Sequence, residues 1–366
     1  MGYADPDVDA AVMAAIQKGV SSTLNCPEEV ALAQLMVQLH PWAQRVRFAR
    51  SGGEAMSVAI RIARAFTKKD IVLFSGYHGW TDWYLAALLH HPNALDKFLM
   101  PGLKPYGLPK ALKGTSISFP FDDIEGLKKL LDKNKNKVAA IVLEPAQAEN
   151  KVAILKQIRT LATEHKAVLI FDEITSGFRM SAGGIHLNYK VNPDMAVFAK
   201  AMANGYAMSA VIGRDKVMLG ACETFISSTN WTERVGPSAA LATIHKIVRK
   251  QVPKHLMKIG GAVRNVWLEK ASKHHLDLTV SGFPSLVHFH FDHPQRSVLN
   301  TYFVMEMLKR GFLAFCQFKP SYAHTDKEVS RYAKAVDEIF ELIAKSDPKK
   351  LLKQNQTGVG FYRLTR

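Results

Sequence analysis

The sequence predicts an α/β protein with a mostly parallel central sheet, followed by a smaller C-terminal α+β domain. Three observations predict it. Short apolar runs at 71–74, 139–143, 168–171 and 195–198 read as strands buried on both faces. Amphipathic stretches of helical period lie between them, as crossover helices must. Beyond about residue 250 this alternation stops, and short strand-like runs precede one long amphipathic stretch.

The elements follow in chain order. An N-terminal helical segment occupies 1–44, with a helix over 27–39 opened by Pro27, Glu28 and Glu29, residues suited to a helix start. The large domain covers 45–250. In its 54–66 helix, Ala55, Val58, Ala59, Ile62, Ala63 and Phe66 share an apolar face, and Arg61 and Arg64 are expected to point away. The pattern repeats over 154–166 with Ile154, Leu155, Ile158, Leu161 and Ala162. The C-terminal domain covers 251–366, with strands near 279–280 and 286–291. Thr325 and Glu328 form a capping box that opens a final helix. Val329, Tyr332, Ala333, Val336, Ile339, Phe340 and Ile343 are its buried stripe.

Composition narrows the function. Of 366 residues, 48% are hydrophobic and 22% charged, which excludes an intrinsically disordered chain. The three cysteines, Cys26, Cys222 and Cys316, are too scattered for a disulfide scaffold or a zinc site and fit a reducing, cytoplasmic setting. No apolar run approaches the roughly 20 residues of a membrane helix. The first residues lack the basic and apolar regions of a signal peptide. The net charge is +16. Nucleic-acid binding would need that charge gathered on a patch with aromatics interleaved. Instead, the dense segment 245–275 has the spacing of a solvated helix face, and 346–366 forms a basic tail. Solubility or attraction of a small anion explains the charge without nucleic acid.

Four local signals carry chemistry. Ser51-Gly52-Gly53-Glu54 stands at a helix entry, where close backbone approach and unpaired amides can cradle a phosphate, or simply make a turn. Asp172, in Phe171-Asp172-Glu173, ends a strand at the edge where parallel sheets bind ligands, and could equally cap a helix. Lys200 follows the apolar run 195–199. An amine in apolar surroundings there can become a nucleophile, whereas a lone lysine at a strand end more often reaches for solvent. Tyr77, in Tyr77-His78-Gly79-Trp80, follows another strand and could be a stacking platform or core filler. Together these supply a phosphate cradle, a flat aromatic, an anion and an amine at one sheet edge, the partners that pyridoxal 5'-phosphate requires.

On these motifs the chain resembles the class III pyridoxal-phosphate aminotransferases of fold type I, and within them the glutamate-1-semialdehyde 2,1-aminomutase group. The resembling stretches are 46–55, 77–79, Leu143-Glu144-Pro145, 171–179, 199–205 and Ser228-Thr229. Gln317-Phe318 and Ala323-His324-Thr325 are similar to the small domain of the aminomutases. The resemblance implies that Lys200 bonds to the cofactor and shuttles protons. It implies that Asp172 pairs with the ring nitrogen, Tyr77 stacks on the ring, and Gly52 and Gly53 hold the phosphate. Thr229 would reach the phosphate of a neighbouring subunit, which implies a homodimer with shared sites. Glu144 would lie near cofactor or substrate as a further catalytic residue.

The chain also departs from that pattern. It begins inside it, so the resemblance implies a truncated family N-terminal segment. Asn230-Trp231 replaces the usual residues after Thr229. Nothing between Leu85 and Leu108 matches the aminomutase gating loop, and Lys319 replaces a family glutamate. These differences face substrate and leave the cofactor set intact. They favour an aminotransferase moving an amino group from a small-molecule donor such as glutamate to an aldehyde or ketone. The rivals are intramolecular transfer by an aminomutase, an inactive cofactor-binding protein and a basic nucleic-acid-binding protein.

Overall fold

The computed structural model describes residues 1–348 and residue 351; the basic tail expected at 346–366 lies largely outside the described residues. The chain divides into two compact units, one of Ala4–Lys250 and one of Met1–Tyr3 with the chain from Gln251 onward. Residues 4–44 are therefore part of the larger unit.

The larger unit holds a seven-stranded sheet. Its strands are β1 (Arg45–Ala49), β2 (Ile71–Ser75), β3 (Ser116–Ser118), β4 (Val138–Leu143), β5 (Val168–Asp172), β6 (Met195–Phe198) and β7 (Ser209–Gly213). The spatial order is β1-β7-β6-β5-β4-β2-β3. Strands β3, β2, β4, β5 and β6 run parallel, and β7 pairs antiparallel with both β6 and β1. The four expected strands are the parallel heart of this sheet. Alternate side chains build its two faces. Phe74, Val142, Ile170 and Val197 join one core with the helix Gly52–Thr67, while Leu73, Ile141, Phe171 and Phe198 are buried on the other face.

Helices α1 (Pro6–Gln17) and α2 (Pro27–Leu39) both pack on the helix Val235–Arg249. Helix α3 (Gly52–Thr67) starts with a capping box between Ser51 and Glu54. Arg61 points to solvent as expected. Arg64 does not: it is half-buried, and its guanidinium donates to the carbonyls of Asp70 at 2.9 Å and Thr115 at 3.4 Å. It ties the α3 C-terminus to the loops before β2 and β3; the Thr115 carbonyl also accepts from the Val72 amide at 2.9 Å.

The dense basic segment is helical, in Val235–Arg249 and Val252–Lys273. It is not wholly a solvated face. Lys246 is half-buried and pairs with Asp5 at 2.8 Å and Asp7 at 3.1 Å, fastening α1.

The smaller unit contains an antiparallel sheet of β8 (Leu278–Ser281), β9 (Val287–Phe291) and β10 (Gln317–Phe318), with β9 central. Trp267, Phe289, Phe303 and Phe340 form its core. The helix Asp326–Ala344 opens with the expected Thr325–Glu328 capping box.

Candidate active site

The C-terminal ends of β2, β5 and β6 open onto a cleft of about 390 Å³. Five of the seven site residues expected from sequence line it: Gly52, Gly53, Tyr77, Asp172 and Lys200. Glu144 and Thr229 do not.

Each lining group is placed by a local cause. Ser51 Oγ accepts from the Glu54 amide at 3.3 Å, and the Ser51 carbonyl accepts from the Ala55 amide at 3.0 Å. The amides of Gly52 and Gly53 precede the first helical acceptor and so have none within α3. A Cβ on Gly52 would come within 3.0 Å of Ile174, and one on Gly53 within 3.4 Å of the Trp80 indole nitrogen. The helix end is therefore a narrow cradle that side chains would fill.

Asp172 is buried at the end of β5. Its Oδ1 accepts from the Ile174 amide at 3.0 Å and so closes a turn; no described helix starts there for it to cap. Its Oδ2 meets His78 Nδ1 at 2.8 Å. His78 Nε2 lies 3.2 Å from the Ser75 carbonyl oxygen. Both ring nitrogens thus face acceptor oxygens. Sequence reasoning placed His78 in a motif but gave it no task. A sequence separation of 94 hides their contact in the sequence.

Tyr77 is partly exposed, 38%, and stands edge-on to Tyr84 with ring centres 6.1 Å apart. Burial, with Asp172 and Glu144 nearby, raises its phenol above the ordinary range. Glu144 sits behind this loop and accepts from the Tyr77 amide at 3.1 Å. Burial pushes the Glu144 carboxyl up and Asp172 adds to the rise, against His78, the Tyr77 amide and Lys200. Thr229 is exposed at the start of the short turn Thr229–Thr232.

Lys200 is exposed and not in the apolar surroundings expected. The buried run ends at Ala199, and the chain turns so that Lys200 begins the short helix Lys200–Ala203. Its φ of 45° lies in the left-handed region, a strained conformation for a lysine and typical of functional sites. Nζ donates to Thr175 Oγ1 at 2.8 Å.

A family model, aminotransferase class-III, matches residues 1–340. A glutamate-1-semialdehyde 2,1-aminomutase from Methanocaldococcus jannaschii is 30% identical over 377 residues, covering 93% of this chain and 84% of that protein. A 2'-deamino-2'-hydroxyneamine transaminase from Streptomyces kanamyceticus is 29% identical over 347 residues, covering 93% and 83%. The crystal structure of an omega-transaminase from Sphaerobacter thermophilus superposes with a TM-score of 0.82 at 26% identity, covering 94% and 84%. The chain belongs to the class III aminotransferases, enzymes that use pyridoxal 5'-phosphate.

The cleft's donor set fits that cofactor. It offers two amides in a glycine cradle for a phosphate, a buried carboxylate for a ring nitrogen, an aromatic face and a primary amine.

Proposed function

We propose that this aminotransferase moves an amino group from an amino acid donor such as L-glutamate to an aldehyde or ketone acceptor, a semialdehyde or a keto-sugar. One observation carries the reading: Lys200 lines the same cleft as Asp172 and the Gly52–Gly53 helix end. The relatives named as a transaminase of a hydroxyneamine and as a semialdehyde aminomutase support those two acceptor classes.

The bound cofactor supplies an electron sink. The protein does the rest. The Gly52 and Gly53 amides hold the phosphate at the helix N-terminus. Asp172 holds the ring-nitrogen proton, and His78 holds Asp172. Tyr77 covers one ring face. Lys200 is the reacting amine and carries the proton taken from the donor carbon. Glu144 acts behind this set by fixing the Tyr77 amide, so it positions the stacking ring. Thr229 serves the partner subunit's phosphate in a cytoplasmic homodimer. The absence of a gating-loop match between Leu85 and Leu108 favours transfer between two molecules over transfer within one.

Incubation with L-glutamate alone tests this. The expected result is stoichiometric 2-oxoglutarate and a matching change in cofactor absorbance. Borohydride treatment followed by peptide mapping should find the cofactor on Lys200. A bound cofactor that no amino donor alters would mark an inactive binding protein, and a label on another lysine would overturn the site.

A further inference from the structure

The turn that follows Asp172 aims a hydroxyl at the Lys200 amine. Thr175 Oγ1 accepts from Nζ at 2.8 Å. The turn is held from within and from behind. The Gly177 amide donates to the Glu173 carbonyl at 2.7 Å, and the Ile174 amide to Asp172 Oδ1 at 3.0 Å. Fully buried Glu173 accepts from Ser176 Oγ, from the His186 amide at 3.1 Å and from His186 Nδ1 at 2.7 Å. Trp42 Nε1 donates to His186 Nε2 at 2.9 Å, so that nitrogen bears no proton and Nδ1 does. A buried anion with three donors fixes the turn, because moving it would strand the charge. Thr175 is therefore presented to Lys200 on a rigid support.

We propose that Thr175 is a catalytic residue whose hydroxyl holds the Lys200 amine in both of its protonation states. The proposal rests on the reading of Lys200 as the reacting amine. A hydroxyl carries one donor and two lone pairs. It accepts an N–H from the ammonium, which has three, and from the neutral amine, which keeps two, and so leaves the amine's lone pair free. A carboxylate would also accept in both states, but its charge would favour the ammonium and oppose release of the proton. The amine needs both states. When it takes up the donor proton, the C–H bond breaks, its electron pair stays with the substrate carbon, and a new N–H bond forms at Nζ. Thr175 accepts from Nζ before and after that step, so Nζ keeps its place and its lone pair faces the substrate carbon. The neutral hydroxyl opposes neither direction of proton transfer with a fixed charge.

The test uses the full-length chain, stripped of cofactor and then given pyridoxal phosphate. Borohydride traps the bond to lysine, and peptide mapping gives the rate of trapping at Lys200. Thr175→Val keeps the shape and removes the hydroxyl. Trapping at Lys200 should slow about 10-fold, and kcat should fall by a similar factor while the donor KM stays within about 2-fold, the scale of one hydrogen bond. Thr175→Ser should recover most of both. Thr175→Ala carries the same expectation as valine if valine disturbs the turn. Wild-type trapping and turnover in a folded variant without the hydroxyl would overturn the proposal alone. Trapping at a different lysine in the unaltered protein would overturn the Lys200 reading first, and this proposal with it; the peptide map separates the two.

Discussion

Asp172 divides its two oxygens between a turn and a buried histidine. Oδ1 closes the turn to Ile174, and Oδ2 meets His78 at the floor of the cleft. The turn carries Thr175 to Lys200 and Ile174 to the wall beside Gly52. Asn at position 172 would keep an acceptor for the Ile174 amide and lose the negative charge. Asp172→Asn should therefore stay folded while kcat falls about 10²–10³-fold, the range seen when one preorganised electrostatic partner is removed. Steady-state kinetics beside circular dichroism would check it. Unchanged turnover would remove Asp172 from the ring-nitrogen task. At this scale the sequence was informative for Lys200, Asp172 and the glycine pair, because strand ends and helix starts announce themselves locally. The partners His78 and Thr175 were not legible as partners, because the contacts that define them are tertiary.

Among the elements, legibility followed the length of the apolar run more than burial, since β7 is buried throughout and was not read. Strands β2, β4, β5 and β6 are apolar on both faces and were read from their runs. Strands β1, β3 and β7 were not expected from those runs. β1 opens with exposed Arg45 at the sheet edge, β3 has only three residues, and β7 follows directly on a turn. The capping box at Thr325 was legible because it is wholly local. The loop after β2 was not, since its shape depends on a glycine's conformation. Gly76 has φ +118°, and a Cβ there would lie 2.6 Å from Glu144 Oε2 and 2.7 Å from Gln147 Nε2. Gln147 in turn donates to the Ser75 carbonyl at 3.1 Å, so the site has little room to give. Gly76→Ala should cost about 1–3 kcal/mol from backbone strain alone. It should also displace Tyr77 and loosen cofactor retention. Thermal melts with a cofactor titration would show both; a variant with the parent's melting temperature and affinity would contradict the placement of this loop.

For the whole molecule, the ion pairs of Lys246, Lys258, Lys270 and Lys273 with carboxylates of their own units fasten local structure and leave the +16 excess unchanged, because that figure already subtracts the carboxylates. The more consequential electrostatics are buried and neutral. His40, at the end of α2, is fully buried. The Gly184 amide donates to its Nε2 at 3.0 Å, so its other nitrogen carries the proton and gives it to the Met36 carbonyl at 2.8 Å. Burial drives its pKa down from 6.5 to about 4, with His186 adding to the fall and the Met36 bond and Glu173 opposing it. In the unfolded chain the imidazole is in water and takes up a proton near 6.5. Between those values the unfolded state binds a proton that the folded state refuses, so stability is lost as pH falls through this window. At 1.36 kcal/mol per unit, the loss is on the order of 3 kcal/mol by pH 4. Glu173 lies beside it and works in a lower range. Burial raises its carboxyl, but the His186 and Ser176 hydrogen bonds outweigh that and hold it below 4.5, so its contribution fades only at more acid pH. His40→Gln offers an acceptor to the Gly184 amide and has nothing to titrate. Its urea midpoint should start lower than the parent's at pH 7 and then fall less steeply between pH 6.5 and 4. Parallel slopes for the two proteins would show that acid sensitivity in that window comes from other groups.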